Sequence, residues 1–342
     1  MLFKVNSKIS LLFTNSITRW ETKVCVPCSR YYNQLCVSLM FMRIKLLLLI
    51  SFIAISIPLF GQGCSDAGVC TINSFKPELS DSSIKSKNQI KVGVSYGAAD
   101  NSITVFGSYV EFNRALNSRM GLDIKLTSLA QDGNSINVWG LSDIYLNGHY
   151  KFGKSIRATF GLKIPLTDGN RDLDGLPLPM DYQASLGTLD LIGGIGVSLG
   201  KLHLVGAFQQ PIKQNKNSFL LDSYPTDSPI RSFQSTNQFE RAGDVLIRAS
   251  YPISIGEKFK FTPSVLPIYH LADDTYVDGE NTTRTIFGSQ GFTLNGNLYL
   301  DYAITSNSSM QINAGMPFIV RETRPDGLTR SFVVNLEYGI KF

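Results

Sequence analysis

Three histidines, a close pair of cysteines and one acidic loop are the residues of this 342-residue chain best suited to chemistry. A serine hydrolase built on a strand needs serine and histidine side by side, which on one strand means a spacing of two. The histidines stand in His149-Tyr-Lys, His203-Leu-Val and His270-Leu-Ala, and none has a serine two residues on. A nucleophile from a neighbouring strand stays open as an alternative, but the expectation is that the chain is not an enzyme. The acidic loop reads Asp168-Gly-Asn170-Arg-Asp172-Leu-Asp174-Gly175 and runs on to Asp181. Asn170, Asp172, Asp174, Gly175 and Asp181 share the spacing of a calcium loop, with oxygen ligands at alternate positions around a turn glycine. Pro177 and Pro179 depart from the helix-flanked form of that loop, and acidic external loops are common without metal. Calcium is thus the one cofactor suggested, against a reading with none. Cys64 and Cys70 in GCSDAGVCT are expected to form a disulfide in an oxidising compartment. Lipidation of Cys64 is the alternative, which Gly61-Gln62-Gly63 fits poorly.

The compartment is suggested by residues 42–61. Met42-Arg-Ile-Lys45 precedes the apolar run Leu46 to Phe60, and Gly61 follows. A basic start, a short apolar stretch and a small residue make a signal peptide. At roughly 1.5 Å per residue the run is too short for a hydrocarbon core of about 30 Å, and Pro58 interrupts it. Residues 1–41, with Cys25, Cys28 and Cys36, are expected to be a gene-start artefact or a non-structural extension. Residues 1–61 hold seven of the 32 Lys and Arg but one of the 27 acids. The remaining chain carries 25 basic and 26 acidic residues, a net charge of −1, which implies no nucleic-acid partner.

The elements that would position these groups are strands. In the last twelve residues, Phe332, Val334, Leu336, Tyr338, Ile340 and Phe342 alternate with Ser331, Asn335, Glu337, Gly339 and Lys341. Period two with one apolar and one polar face is the mark of a strand between lipid and a polar interior. A terminal aromatic on such a strand resembles the signal that outer-membrane barrels present to their assembly machinery, although Glu337 stands where a glycine is frequent. Similar alternation recurs from residue 89 onward, notably at 144–152 and 292–304. Short turns near 117–119, 153–154, 200–201, 256–257 and 306–308 alternate with longer loops at 131–140, 166–187, 210–243, 272–291 and 324–330. The fold expected is all-β: a transmembrane antiparallel up-and-down barrel over residues 89–342, about twelve strands, with ten or fourteen as alternatives. A phase change between Ile103 and Phe112 suggests a bulge in the second strand. A soluble sandwich would not require this sidedness of loops.

Polar positions of the alternating strands place Asp123, Lys125, Asp143, His149, Lys151, Arg157, Lys163, Asp190, His203, Arg248, Lys258, Lys260, Asp301, Arg321 and Glu337 toward the lumen. Both signs occur, so interstrand ion pairs are expected rather than a single-sign filter. Residues 71–88 are polar, and residues 62–88 are long enough to enter the lumen from the periplasm as a plug. Leu176, Leu178, Met180, Tyr182, Phe219, Leu220, Leu221 and Tyr224, on the two longest loops, are expected to form an exposed apolar mouth for a small ligand.

Residues 140–200 resemble a known family. GLSDIYLNGHYKF (140–152), FGLKIPLTDG (160–169) and YQASLGTLDLIGGIGVSLG (182–200) are similar to the outer-membrane channels named for the phenol meta-pathway. These are distant relatives of the long-chain fatty-acid channels. Ser142 replaces the family's usual glycine, and Leu166 intrudes after Pro165. The resemblance implies a channel for small hydrophobic or aromatic molecules in the outer membrane of a Gram-negative bacterium. Its partners would be membrane lipid, the assembly machinery through the strand ending at Phe342, and the solute. A structural or secretion-associated barrel without transport is the alternative, and an outer-membrane hydrolase the lesser one.

Overall fold

The structure is a computed structural model, and it describes residues 75–76, 87–327 and 330–342. The expected signal peptide over 42–61, residues 1–41 and the expected disulfide between Cys64 and Cys70 lie outside the described residues. Twelve antiparallel strands form the barrel. They are β1 (Asn88–Ala99), β2 (Thr104–Ala115), β3 (Met120–Gly133), β4 (Ile136–Phe152), β5 (Ile156–Pro165) and β6 (Leu189–Leu199). The second half comprises β7 (Leu202–Lys213), β8 (Asp244–Ser250), β9 (Phe259–His270), β10 (Gly291–Ala303), β11 (Ser308–Ile319) and β12 (Arg330–Lys341). Each pairs with its neighbour in sequence, and β1 pairs with β12 over eleven registered positions to close the ring. Closure leaves no edge of unpaired N–H and C=O groups, each of which would cost several kcal/mol in hydrocarbon.

The alternation read from sequence is realised around the wall. On β12, Phe332, Val334, Leu336, Tyr338 and Ile340 face outward, while Val333, Glu337 and Gly339 are buried. The outer face also carries Phe160 and Ile247, which leave 60% and 56% of their surface open. Apolar exposure repeated around a whole cylinder far exceeds what a water-soluble monomer presents, and lipid is the solvent it fits.

Two local expectations are corrected. Residues 131–140 are not a loop: β3 and β4 continue through them as a hairpin, Gly133 opposite Ile136. Asn134 and Ser135 make its two-residue turn at φ 51° and 62°, a left-handed pair whose twist matches that of the flanking strands. The bulge expected in β2 is absent, since its registers with β1 and β3 are continuous. The phase change has another cause. Ile103 and Val105 point inward into an apolar cluster at the loop end, whereas Phe106 and Val110 point outward. Register does shift between Leu126 and Ser128 on β3, where Thr127 Oγ1 and the Asp143 backbone exchange hydrogen bonds.

The seam between β8 and β9 is broken. Registered pairing lapses at Ile247–Arg248, opposite Leu266–Pro267, and again after Ser250, near Pro263. Proline offers no N–H to a ladder, so Pro263 and Pro267 interrupt it. Pairing resumes at Ile253–Ile255, which extends β8 along β9.

Candidate functional site in the barrel lumen

The inner wall formed by β1–β3 and β12 is ionic. Glu337 accepts from Lys76 Nζ at 3.0 Å and from the Tyr109 hydroxyl at 2.5 Å, and its other oxygen lies 3.1 Å from Lys91 Nζ. Lys125 Nζ stands 4.0 Å from the centre of the Tyr109 ring, a cation–π distance, and is registered across from buried Glu111. Asp123 lies 3.7 Å from His149. Farther round, Lys163 Nζ meets Asp190 at 2.8 Å and the Thr188 hydroxyl at 2.9 Å, and Gln209 also donates to Asp190. Asp143 accepts from Ser142 and Ser185, and Asp301 from Gln311. Of the polar positions read from sequence, Asp123, Lys125, Asp143, Lys163, Asp190, Arg248, Asp301 and Glu337 are buried, and opposite charges meet in the Lys76–Glu337, Lys91–Glu337 and Lys163–Asp190 pairs. Lys258, by contrast, is exposed in the turn before β9.

Lys151, Arg157 and His203 lie near the turn end, around a small cavity of about 100 Å³. There β6 brings Ser198 opposite His203 of β7, with Oγ 2.9 Å from Nδ1. This is a serine–histidine pair supplied by the adjacent strand, the arrangement that spacing within one strand could not reveal. The charges facing His203 are Lys260 and Arg157. A catalytic imidazolium is held by a carboxylate on its other nitrogen, and cations there oppose its formation.

At the loop end lies a second charged network, of which the polar lumen set contained only Arg321. Arg241 Nη2 donates to Asp244 at 2.5 Å, and its Nε lies 3.4 Å from Asp326. Arg321 donates to Asp326 at 2.9 Å and to the Ser289 carbonyl at 2.8 Å. His270 sits between Asp244, at 2.7 Å from Nδ1, and Asp274, at 2.8 Å from Nε2. The cluster ties three external loops to the rims of β8 and β9. Burial alone would raise the Asp326 carboxyl, but the Arg321 and Arg241 guanidiniums outweigh it and hold it well below the usual carboxylate range. Contacts such as Arg241 to Asp326 span 85 residues, so no local motif announced them.

The loops over 166–188 and 214–243 fold into the mouth rather than framing it. Leu178, Tyr182 and Phe219 are fully buried with Ile230 and Phe233 against Ile103, Val105, Ile136 and Val138. Met180 joins Leu186, Phe239 and Ile286 in an adjoining cluster. Leu176, Leu220, Leu221 and Tyr224 are partly buried around them. The exposed apolar mouth expected of these eight residues is thus corrected to a closed core, because loops this apolar bury one another when the β3–β4 hairpin offers them a wall. Buried Asn217 anchors the fold by donating to the Gly169 and Leu178 carbonyls.

The calcium spacing is used differently as well. Asp172–Leu173 pairs with Leu176–Pro177, and Asp174 and Gly175, both at positive φ, form the turn between. Asn170 Oδ1 accepts from the Ser218 amide and hydroxyl. Asp181 lies in a 3₁₀ turn over Met180–Tyr182, where burial pushes its carboxyl up to about 7. Among the described residues no three His, Cys, Asp or Glu groups gather as a metal site. Of the four oxygen-bearing residues, only Asp172 and Asp174 belong to the tight hairpin.

Between these closures lies a cavity of about 150 Å³. Met180, Ala184 and Leu186 of the loop core line one side, and Lys76, Tyr145 and Arg248 another. Tyr109, Tyr299, Asn313 and Asn335 complete a mixed aromatic and amide wall. Next to Lys76 lies Phe75, 2% exposed, whose carbonyl accepts from Arg248 Nη1 at 2.9 Å. Phe75 packs on an apolar stretch of inner wall formed by β6–β9, which the alternation rule did not foresee.

No protein-family profile and no curated protein matches the sequence. The phenol meta-pathway resemblance of residues 140–200 therefore does not become membership. Among solved structures, the NanC porin is 9% identical with a TM-score of 0.40, covering 75% of this chain and 98% of its own. The CymD monoaromatic hydrocarbon channel is 9% identical with a TM-score of 0.42, covering 84% and 99%. The translocator domain of the autotransporter NalP from Neisseria meningitidis is 10% identical with a TM-score of 0.41, covering 77% and 90%. Similarity at this level carries no residue role and no solute across.

Proposed function

We propose that this protein is an outer-membrane channel of a Gram-negative bacterium for small solutes with apolar or aromatic character, described here in an occluded state. The observation that carries the reading is the cavity of about 150 Å³ inside a closed twelve-stranded wall, with Phe75 packed on the inner wall and the Leu178–Tyr182–Phe219 core toward the loops. Barrels of this size are wide enough for a passage but narrower than 16-stranded porins. The outward apolar rows supply the lipid-facing surface, and an even strand count returns both ends of the barrel to the side of the short turns, taken as periplasmic. The strand ending at Phe342 is the segment assigned to the assembly machinery. The N-terminal segment acts as plug through Phe75 and Lys76.

A structural barrel without transport is the second reading, favoured by the buried Arg241–Asp326–Arg321 network that ties the loops shut. Planar-bilayer recordings separate the two. Wild-type protein should conduct rarely, and Phe75→Ala should raise the open fraction several-fold. Silence from wild type, Phe75→Ala and a Phe75→Ala/Asp326→Asn double variant alike would leave only the structural role.

A further inference from the structure

A lumen is expected to be polar, yet β6–β9 turn six apolar residues inward: Ile192, Val205, Ala207, Leu246, Leu266 and Ile268. Together with Tyr145 they enclose one aromatic ring, that of Phe75. Gly194 shapes the floor. A Cβ on it would stand 2.7 Å from the Phe75 ring and 2.8 Å from Ala207 Cβ, nearer than side chains approach, so the glycine lets the ring lie against the strand beside Ala207. At the rim, Arg248, 1% exposed, donates to the Phe75 carbonyl oxygen. A guanidinium makes hydrogen bonds to a carboxylate roughly twice as strong as those to a neutral acceptor, and can grip it with two donors. Tyr145 and Arg248 also line the 150 Å³ cavity, so a solute there lies beside the socket.

We infer that this socket is a solute site for a small molecule pairing one aromatic ring with an oxyanion, such as an aromatic carboxylate, and that Phe75 occupies it as a tethered competitor. The inference deepens the channel reading and rests on it for its biological sense, but its test does not need transport. When a tethered group fills a site most of the time, its removal raises apparent affinity by the inverse of the vacant fraction. Benzoate binding to the full-length protein in detergent, measured by calorimetry, should strengthen about tenfold or more in Phe75→Ala. Phe75→Leu removes the ring while keeping aliphatic packing, and should show the same direction if the alanine variant does not fold. Folding of each variant is checked by its heat-modifiable migration on gels.

Acetate, which lacks the ring, should bind none of the proteins. Adding Gly194→Val to Phe75→Ala should abolish the gain by filling the floor. Adding Arg248→Gln should remove the preference for benzoate over neutral benzamide. Equal benzoate affinity in wild type, Phe75→Ala and Phe75→Leu would overturn the proposal, as would a gain that survives Gly194→Val. A protein that binds benzoate in this pattern yet never conducts would retire the channel function and keep the socket.

Discussion

Two stretches of the inner wall, four strands each, are stabilised in opposite ways. On β1–β3 and β12 the interior is charge on charge, with Glu337 holding Lys76, Lys91 and Tyr109. On β6–β9 it is hydrocarbon around the Phe75 ring. Two adjacent residues thus serve both stretches, Lys76 the first and Phe75 the second. The contrast teaches that inward residues of a narrow barrel need not be polar; they must have partners. Where the wall supplies its own, ions serve. Where it does not, a segment of chain fills the space.

The largest effect should come from the ionic wall. Glu337→Ala strands two buried ammonium groups, and breaking a buried pair in this way costs about 3–5 kcal/mol. Unfolding in urea, followed by gel migration, measures it. On the apolar wall, Leu266→Ala leaves a cavity under Phe75 and should cost about 2–4 kcal/mol. A larger loss from Leu266 than from Glu337 would break the comparison.

A smaller effect sharpens it by pH. The Asp181 carboxyl, raised to about 7 chiefly by burial, is protonated more readily in the folded protein than in the unfolded chain. Its contribution is therefore fully present below about pH 4 and is lost as pH rises through about 7. Melting temperature of wild type relative to Asp181→Asn should fall across that window, by the equivalent of about 1–2 kcal/mol given its partial exposure. A flat difference would show that Asp181 is solvated. Asp326, held low by Arg321 and Arg241, acts in the opposite sense, stabilising above about pH 4 and failing only in stronger acid. The smallest change is Asn134→Ala in the β3–β4 turn. It removes donors to the Asn101 carbonyl and Tyr182 hydroxyl from a residue at φ 51°, costing about 1–2 kcal/mol.

Period-two alternation made the barrel legible, because every strand meets the same two solvents. Phe332 to Phe342 and Ile144 to Phe152 needed no tertiary knowledge to be placed. The β3–β4 hairpin was missed because Gln131 to Gly140 is rich in turn formers; the signal that could have found it was Asn134 flanked by alternating Ile136 and Val138. The polar lumen positions were legible singly, but their partners were not, since Lys76 and Glu337 lie 261 residues apart. The apolar wall was hidden in plain composition. From Leu189 to Leu199 the inner face is Asp190, Ile192, Gly194, Gly196 and Ser198, so its one large apolar member, Ile192, gives no sign in the sequence of the cluster it joins with residues of β7–β9. The serine that meets His203 lies five residues earlier across a turn, a relation set by register alone.

The clasp between the first and last strands bears on how the barrel is assembled. Asn88 and Phe342 exchange backbone hydrogen bonds, at 3.1 and 2.9 Å, to complete the ring. Without the final strand the other eleven would be a sheet with two open edges, each a template for pairing with a foreign chain. Contacts of such sequence separation form slowly, since the loop must close before anything rewards it. A truncation lacking only residues 330–342 would therefore lose far more than one-twelfth of the wall: it would remain a sticky, open ribbon that no later event could seal.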